Sequence, residues 1–91
     1  MTNWSVYVLR CADGSLYTGI TNDLTRRLKA HRAGTASKYT RSRRPVRLMW
    51  TTGSWRARGP ALKREARIKA MTRRQKEDLC RSGSMRTRVR R

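Results

Sequence analysis

Acidic residues are scarce in this chain. Five Asp and Glu stand against 24 Lys and Arg, a formal charge of +19 at pH 7. Such an excess repels itself unless a polyanion is near, which points to nucleic acid as the partner. Phenylalanine is absent, so Trp4, Trp50, Trp55, the tyrosines and the aliphatic residues must build the core. The two cysteines, Cys11 and Cys80, and the single His31 are too few for a disulfide framework or a Cys/His zinc site. They read as two reduced core thiols and one histidine to be explained. No apolar run reaches the roughly 18–20 residues of a spanning helix, and no helix pattern sets a large apolar face against a basic one. No membrane partner is expected. Met1-Thr2-Asn3-Trp4 lacks the layout of a signal peptide, so the cytoplasm is the expected location. At 91 residues the chain is one domain. Among its cations Arg outnumbers Lys; Arg suits bidentate phosphate contacts, and a GC-rich genome would equally favour it.

Local patterns order the elements. Residues 5–19, SVYVLRCADGSLYTG, read as a β-hairpin turning at Asp13-Gly14. Thr21, Asn22 and Asp23 are all N-cap types, Leu24, Leu28 and His31 share one helical face, and Gly34 is placed to stop the helix. A helix over 23–33 follows. Residues 34–45 are polar and basic, a surface loop. VRLMWTT, 46–52, is a third strand, and GSWRARG a connection. Pro60 opens the next helix, and Thr72 with Gln75 forms a capping box that starts another. The stretch 83–91 has little to bury and is expected to be a mobile basic tail on a domain of residues 1–82. The order β-β-α-β-α-α specifies an α+β fold, a small three-stranded antiparallel sheet flanked by helices.

Each hairpin arm carries a tyrosine, Tyr7 and Tyr17. With a two-residue loop, position 7 pairs with 20, and the two phenols point to opposite sides. With a three-residue loop, Ala12-Asp13-Gly14, and Gly14 left-handed in a bulge, 11 pairs with 15 and 7 with 19. Both phenols then share a face. A common site requires the odd loop.

Other residues have an ordinary reading and a chemical one. Arg27 and His31, at i and i+4, flank the face that packs on the hairpin. Either alone is an unremarkable surface arginine or core histidine. Glu65 sits among Lys63, Arg64, Arg67 and Lys69 and could merely pair with Lys69. A carboxylate inside a basic surface is also what phosphodiester hydrolysis needs to hold a divalent cation. Lys38, Tyr39, Arg41, Arg43 and Arg44 form a basic loop suited to tracking phosphates, with a base stacked on Tyr39, or simply a solvated loop.

Taken in order, these features resemble the GIY-YIG nuclease module. Ser5-Val6-Tyr7 stands for the first motif and Tyr17-Thr18-Gly19 for the second. Arg27 falls at the family's helix arginine, His31 at a position held by His or Tyr, and Glu65 in ALKREARIK at its metal-binding glutamate. YTGITNDLTRRLKAH and SKYTRSRRPVRL look like the small stand-alone bacterial members. The resemblance implies a single-metal endonuclease using Mg²⁺ or Mn²⁺ at Glu65. Tyr7 or Tyr17 would start attack, Arg27 would stabilise developing charge, and His31 would move a proton or orient a phenol. Gly19 would allow close approach of backbone, and Lys69 would add a phosphate contact. Two functions fit the composition: a nuclease on DNA, with RNA as a second substrate, or a non-catalytic nucleic-acid-binding module on the same fold. The joint presence of Tyr7, Tyr17, Arg27, His31 and Glu65 favours the first, because a pure binder has no need of an acid in a basic surface. A domain with no separate recognition module should read substrate structure rather than sequence. The pattern leaves the oligomeric state undetermined.

Overall fold

A computed structural model of the chain describes the backbone of residues 3–89 and the side chains of residues 3–81. Three strands, β1 (Trp4–Arg10), β2 (Leu16–Thr21) and β3 (Arg47–Trp55), form one antiparallel sheet in the order β2-β1-β3. Four helices complete it: α1 (Leu24–Ala33), α2 (Lys38–Arg41), α3 (Arg58–Lys69) and α4 (Arg73–Val89). The α+β class and the order of the main elements are those expected from the sequence.

The hairpin takes the three-residue loop. The Cys11 amide donates to the Ser15 carbonyl at 2.9 Å, and the Gly14 amide donates to the Cys11 carbonyl at 2.9 Å. Gly14 has φ +88°, a conformation costly for any residue with a Cβ. Asp13 braces the turn by accepting from the Ser15 amide at 3.0 Å and hydroxyl at 2.6 Å. The register that follows pairs Leu9 with Tyr17 and Tyr7 with Gly19.

As the middle strand, β1 is covered on both faces, and Val6, Tyr7, Val8 and Leu9 are all buried. Its alternation splits the core in two. Val6 and Val8 pack with Trp50, Ala61, Ile68 and Cys80 beneath α3 and α4. Tyr7, Leu9 and Cys11 pack with Val46, Leu24, Leu28 and Leu48 on the α1 face. Both cysteines are free and buried.

Helix ends obey their caps. Asp23 accepts from the Arg26 amide at 3.1 Å, and Gly34 ends α1 with φ +84°. Thr72 and Gln75 exchange the reciprocal bonds of a capping box, at 2.9 and 3.1 Å. Three boundaries differ from the sequence expectation. The basic loop contains one helical turn, α2, because Ser37 caps it through the Thr40 amide at 3.1 Å. The third strand runs on to Trp55, where Trp4 pairs with it and Gly53 at φ +95° lies under the Trp55 ring. Helix α3 starts at Arg58, two residues before Pro60, since a helix's first amides need no internal partner. The backbone of α4 is helical through Val89. The side chains of the tail from residue 83 lie outside the described residues.

A partly buried ion cluster ties α4 to the hairpin. Glu77 accepts from Arg10 at 2.6 Å and from Arg73 at 3.1 Å, and Arg73 also donates to the Gly14 carbonyl at 2.6 Å. Replacing Gly14 by alanine isolates the backbone requirement, because the nearest atom to the new Cβ is Arg73 Nη2 at 3.9 Å. Gly14→Ala is expected to lower stability by about 1–2 kcal/mol in urea unfolding, the cost of a left-handed L-residue.

Candidate active site

The odd loop puts Tyr7 and Tyr17 on one face, with ring centroids 6.5 Å apart. From α1, His31 sets its ring edge-on to both, at 5.6 and 5.3 Å. His31 is 1% exposed and has both nitrogens engaged. Nε2 lies 2.8 Å from the Tyr7 hydroxyl, and Nδ1 lies 2.8 Å from Thr40 Oγ1 on α2. The Thr40 hydroxyl in turn lies 3.0 Å from Ser37 Oγ. Gly19, opposite Tyr7 in the register, leaves room for the phenol: a Cβ there would sit 2.6 Å from its oxygen and 2.7 Å from Cζ.

Charge gathers at the same place. Burial pushes the Tyr7 phenol well above its ordinary pKa, and Tyr17 and Glu65 add to the shift while Arg27 opposes it. Burial, then Arg27, holds His31 below its ordinary value. Arg27 therefore acts on both groups, and Glu65 acts on Tyr7. None of the five ion pairs among the described residues engages the Arg27 guanidinium. The two glutamates differ in kind. Glu77 has both oxygens held by arginines, chiefly Arg10, which draws its pKa down. Glu65 is 16% exposed and has one loose partner, Lys69 Nζ at 3.5 Å. Helix α3, which carries it, packs on both β1 and β2.

Tyr7, Tyr17 and His31 thus meet from β1, β2 and α1 over Gly19, with Arg27 and Glu65 near enough to shift the Tyr7 pKa. The expected nucleic-acid contacts divide. Lys38 and Arg41 are exposed on α2, and Lys69 is exposed beside Glu65. Arg44 instead ties the ends of α1 and α2, donating to Arg32 and Arg41 carbonyls at 3.4 and 3.0 Å. Arg43 bonds Asp13 at 3.0 Å and lays its guanidinium carbon 3.8 Å from the Tyr39 ring centre. Tyr17 stacks on the same tyrosine with ring centroids 5.8 Å apart. Tyr39 thus supports Tyr17 and is itself 38% exposed. A cleft of about 310 Å³ opens beside Arg27, lined by Thr21, Asn22, Asp23, Arg26 and Ala30.

The sequence reading passed over Thr40, Ser37 and this cleft. Ser37 three residues before Thr40 is an N-cap spacing, the one signal that marked a structured turn there.

Residues 3–78 match the GIY-YIG catalytic domain. The chain belongs to the GIY-YIG family. A UPF0213 protein of Halobacterium salinarum is 50% identical over 74 residues, 81% of this chain and 95% of the relative. One from Bacillus pumilus is 48% identical over 82% of this chain and 76% of its own. Among solved structures, the solution NMR structure of the UPF0213 protein BH0048 from Bacillus halodurans is 45% identical. It has a TM-score of 0.53 and covers 85% of this chain and 81% of that one. The NMR structure of the protein EF2693 from E. faecalis is 39% identical, with a TM-score of 0.58 over 93% and 88%.

Among the described residues no three His, Cys, Asp or Glu side chains gather into a metal cage. The lone Glu65 carboxylate, with one loosely paired oxygen, still fits a hard divalent ion that keeps waters and takes phosphate oxygens as its other ligands.

Two outcomes test this geometry. Gly19→Ala forces the Tyr7 ring to move and is expected to cost about 1–3 kcal/mol in urea unfolding. His31 is neutral in the fold, and the unfolded state takes up a proton first as pH falls below 6.5. The thermal midpoint should therefore be highest above that pH and fall progressively below it. His31→Asn should remove that part of the pH dependence.

Proposed function

We propose that this GIY-YIG domain is a divalent-metal-dependent endonuclease that hydrolyses phosphodiester bonds in DNA. It selects substrates by structure, such as single strands, flaps or damaged ends, in DNA repair or processing. The observation that supports this best is the placement of a carboxylate within electrostatic range of a phenol that is hydrogen-bonded to histidine, beside an unpaired arginine.

Glu65 would hold Mg²⁺ or Mn²⁺, which when bound supplies positive charge against the phosphate and leaving oxygen. The other roles fall to the chain's own side chains. Arg27 donates to a phosphoryl oxygen and offsets the charge that builds on it. A phenol takes the proton of the attacking water, with His31 behind it as the neutral acceptor that burial maintains. The stack of Arg43 and Tyr39 on Tyr17 holds that second phenol in place at the mouth of the site. Lys38, Arg41 and the other exposed cations bind flanking phosphates by releasing counterions, so affinity should fall steeply with salt.

A non-catalytic binding module remains the second reading, favoured by the Glu65–Lys69 contact, which is the pair an ordinary surface helix would form. Cleavage of labelled single-stranded, duplex and branched DNA and RNA, with Mg²⁺ or Mn²⁺, separates the two. Arg27→Ala is expected to lose roughly 10²–10³-fold in cleavage rate, and Glu65→Ala to lose metal-dependent cleavage while still binding. Activity surviving in both variants would refute the assigned site. Binding without cleavage under every metal would favour the second reading.

A further inference from the structure

The hydrogen bonds around His31 admit one consistent direction. The buried Tyr7 hydroxyl has His31 Nε2 as its hydrogen-bond partner among the described residues. Were the imidazole hydrogen on Nε2, it would point at the phenol oxygen, and the phenol hydrogen would have no acceptor there. Buried donors are rarely left in that state. With the hydrogen on Nδ1 every link closes. Tyr7 donates to Nε2, and Nδ1–H donates to Thr40 Oγ1. The Thr40 hydroxyl then has Ser37 Oγ at 3.0 Å and the Ser37 carbonyl at 3.5 Å as acceptors, and Ser37 Oγ also accepts the Thr40 amide at 3.1 Å. Thr40 is fully buried and Ser37 half-buried, so the last hydroxyl hydrogen is free to meet solvent.

We propose that Thr40 is a positioning residue that holds His31 as the Nδ1–H tautomer, and that Thr40 and Ser37 form a proton outlet from Tyr7 to solvent. The outlet rests on the nuclease reading above and deepens it. The transfer balances. A water O–H breaks and its proton joins the Tyr7 oxygen, while the resulting hydroxide bonds to phosphorus, the P–O bond to the leaving oxygen breaks, and that oxygen takes a proton from a solvent water. The phenol's own proton passes to Nε2, the Nδ1 proton to Thr40, the Thr40 proton to Ser37, and the Ser37 proton to a solvent water. Every relay group ends neutral, with the imidazole hydrogen moved to Nε2, and tautomer exchange after product release restores Nδ1–H for the next turnover. Tyr7 therefore serves as the acceptor without becoming a free phenolate, which its burial disfavours. Tyr17, stacked between Tyr39 and the His31 edge, has no such path among the described residues.

His31 is the only histidine in the chain, so imidazole ¹⁵N–¹H correlation spectra report it without assignment. The wild type should show a protonated Nδ1 and a bare Nε2. Thr40→Val should shift the tautomer ratio toward Nε2–H by about tenfold, the effect of stranding a buried N–H, and Thr40→Ser should restore it. A wild-type Nε2–H tautomer overturns the proposal whether or not Thr40→Val folds, and so does an unchanged tautomer in a folded Thr40→Val. In cleavage assays, Thr40→Val should lower kcat by about tenfold or more with KM little changed. A wild-type kcat in that variant overturns the outlet. A wild type that cleaves nothing overturns the outlet together with the nuclease reading, while the spectrum still decides the positioning role.

Discussion

The site depends on the parity of one turn. A strand presents alternate residues to alternate faces, so one extra loop residue decides whether Tyr7 and Tyr17 meet or are separated by the sheet. Gly14 supplies the left-handed step that makes the three-residue loop, and Asp13 braces it from within. Asp13 also anchors Arg43, whose guanidinium covers Tyr39, which in turn stacks on Tyr17. The turn thus sets the register and also reaches, through an ion pair and two stacked groups, the second phenol that the register exposes. Arg73 grips the same turn from α4.

Burial then decides what these groups do chemically. The helices α1 and α2 close over one face of the sheet and leave His31 and Thr40 almost without solvent. In that setting a neutral imidazole is preferred and a phenol keeps its proton, so polar groups that elsewhere titrate freely become a directed hydrogen-bond chain. Charge-rich sequence surrounds them, yet the acids are allotted sparingly. Asp23 caps a helix, Asp13 braces the turn, Asp78 pairs with Arg81, and Glu77 binds α4 to the hairpin. Glu65 is the carboxylate left with a loose partner beside the phenols.

The uncommitted positive charge has a complementary logic. Arg10, Arg43, Arg44 and Arg73 serve internal contacts, all four donating to carbonyls or carboxylates. Arg27 is held at the site edge with no ion-pair partner among the described residues, next to a cleft carrying Arg26 and Asn22. An anionic backbone entering there finds positive charge already desolvated on one side, where it acts most strongly.

Much of this was legible in the linear chain. Caps at Asp23, Gly34 and Thr72 bounded helices because capping is local chemistry. Tyr7, Tyr17, Arg27, His31 and Glu65 stood out as a set, through their order and spacing, their resemblance to the GIY-YIG module, and the rarity of His and Glu in the chain. The hairpin's two possible registers were also readable, but choosing between them needed the bulge that closes Cys11 on Ser15. Thr40 was invisible as a site residue, since a threonine in a polar stretch looks solvated until α2 folds under α1. The contacts of Tyr39 with Arg43 and Tyr17 were equally invisible, since they join α2, the turn that follows it and β2. By itself the sequence determined the main element types, the capped helix ends and the charge, all set by neighbours along the chain. Tertiary structure alone decided which polar groups were stripped of water and which carboxylate stayed free, because desolvation and pairing depend on residues distant in sequence but adjacent in space.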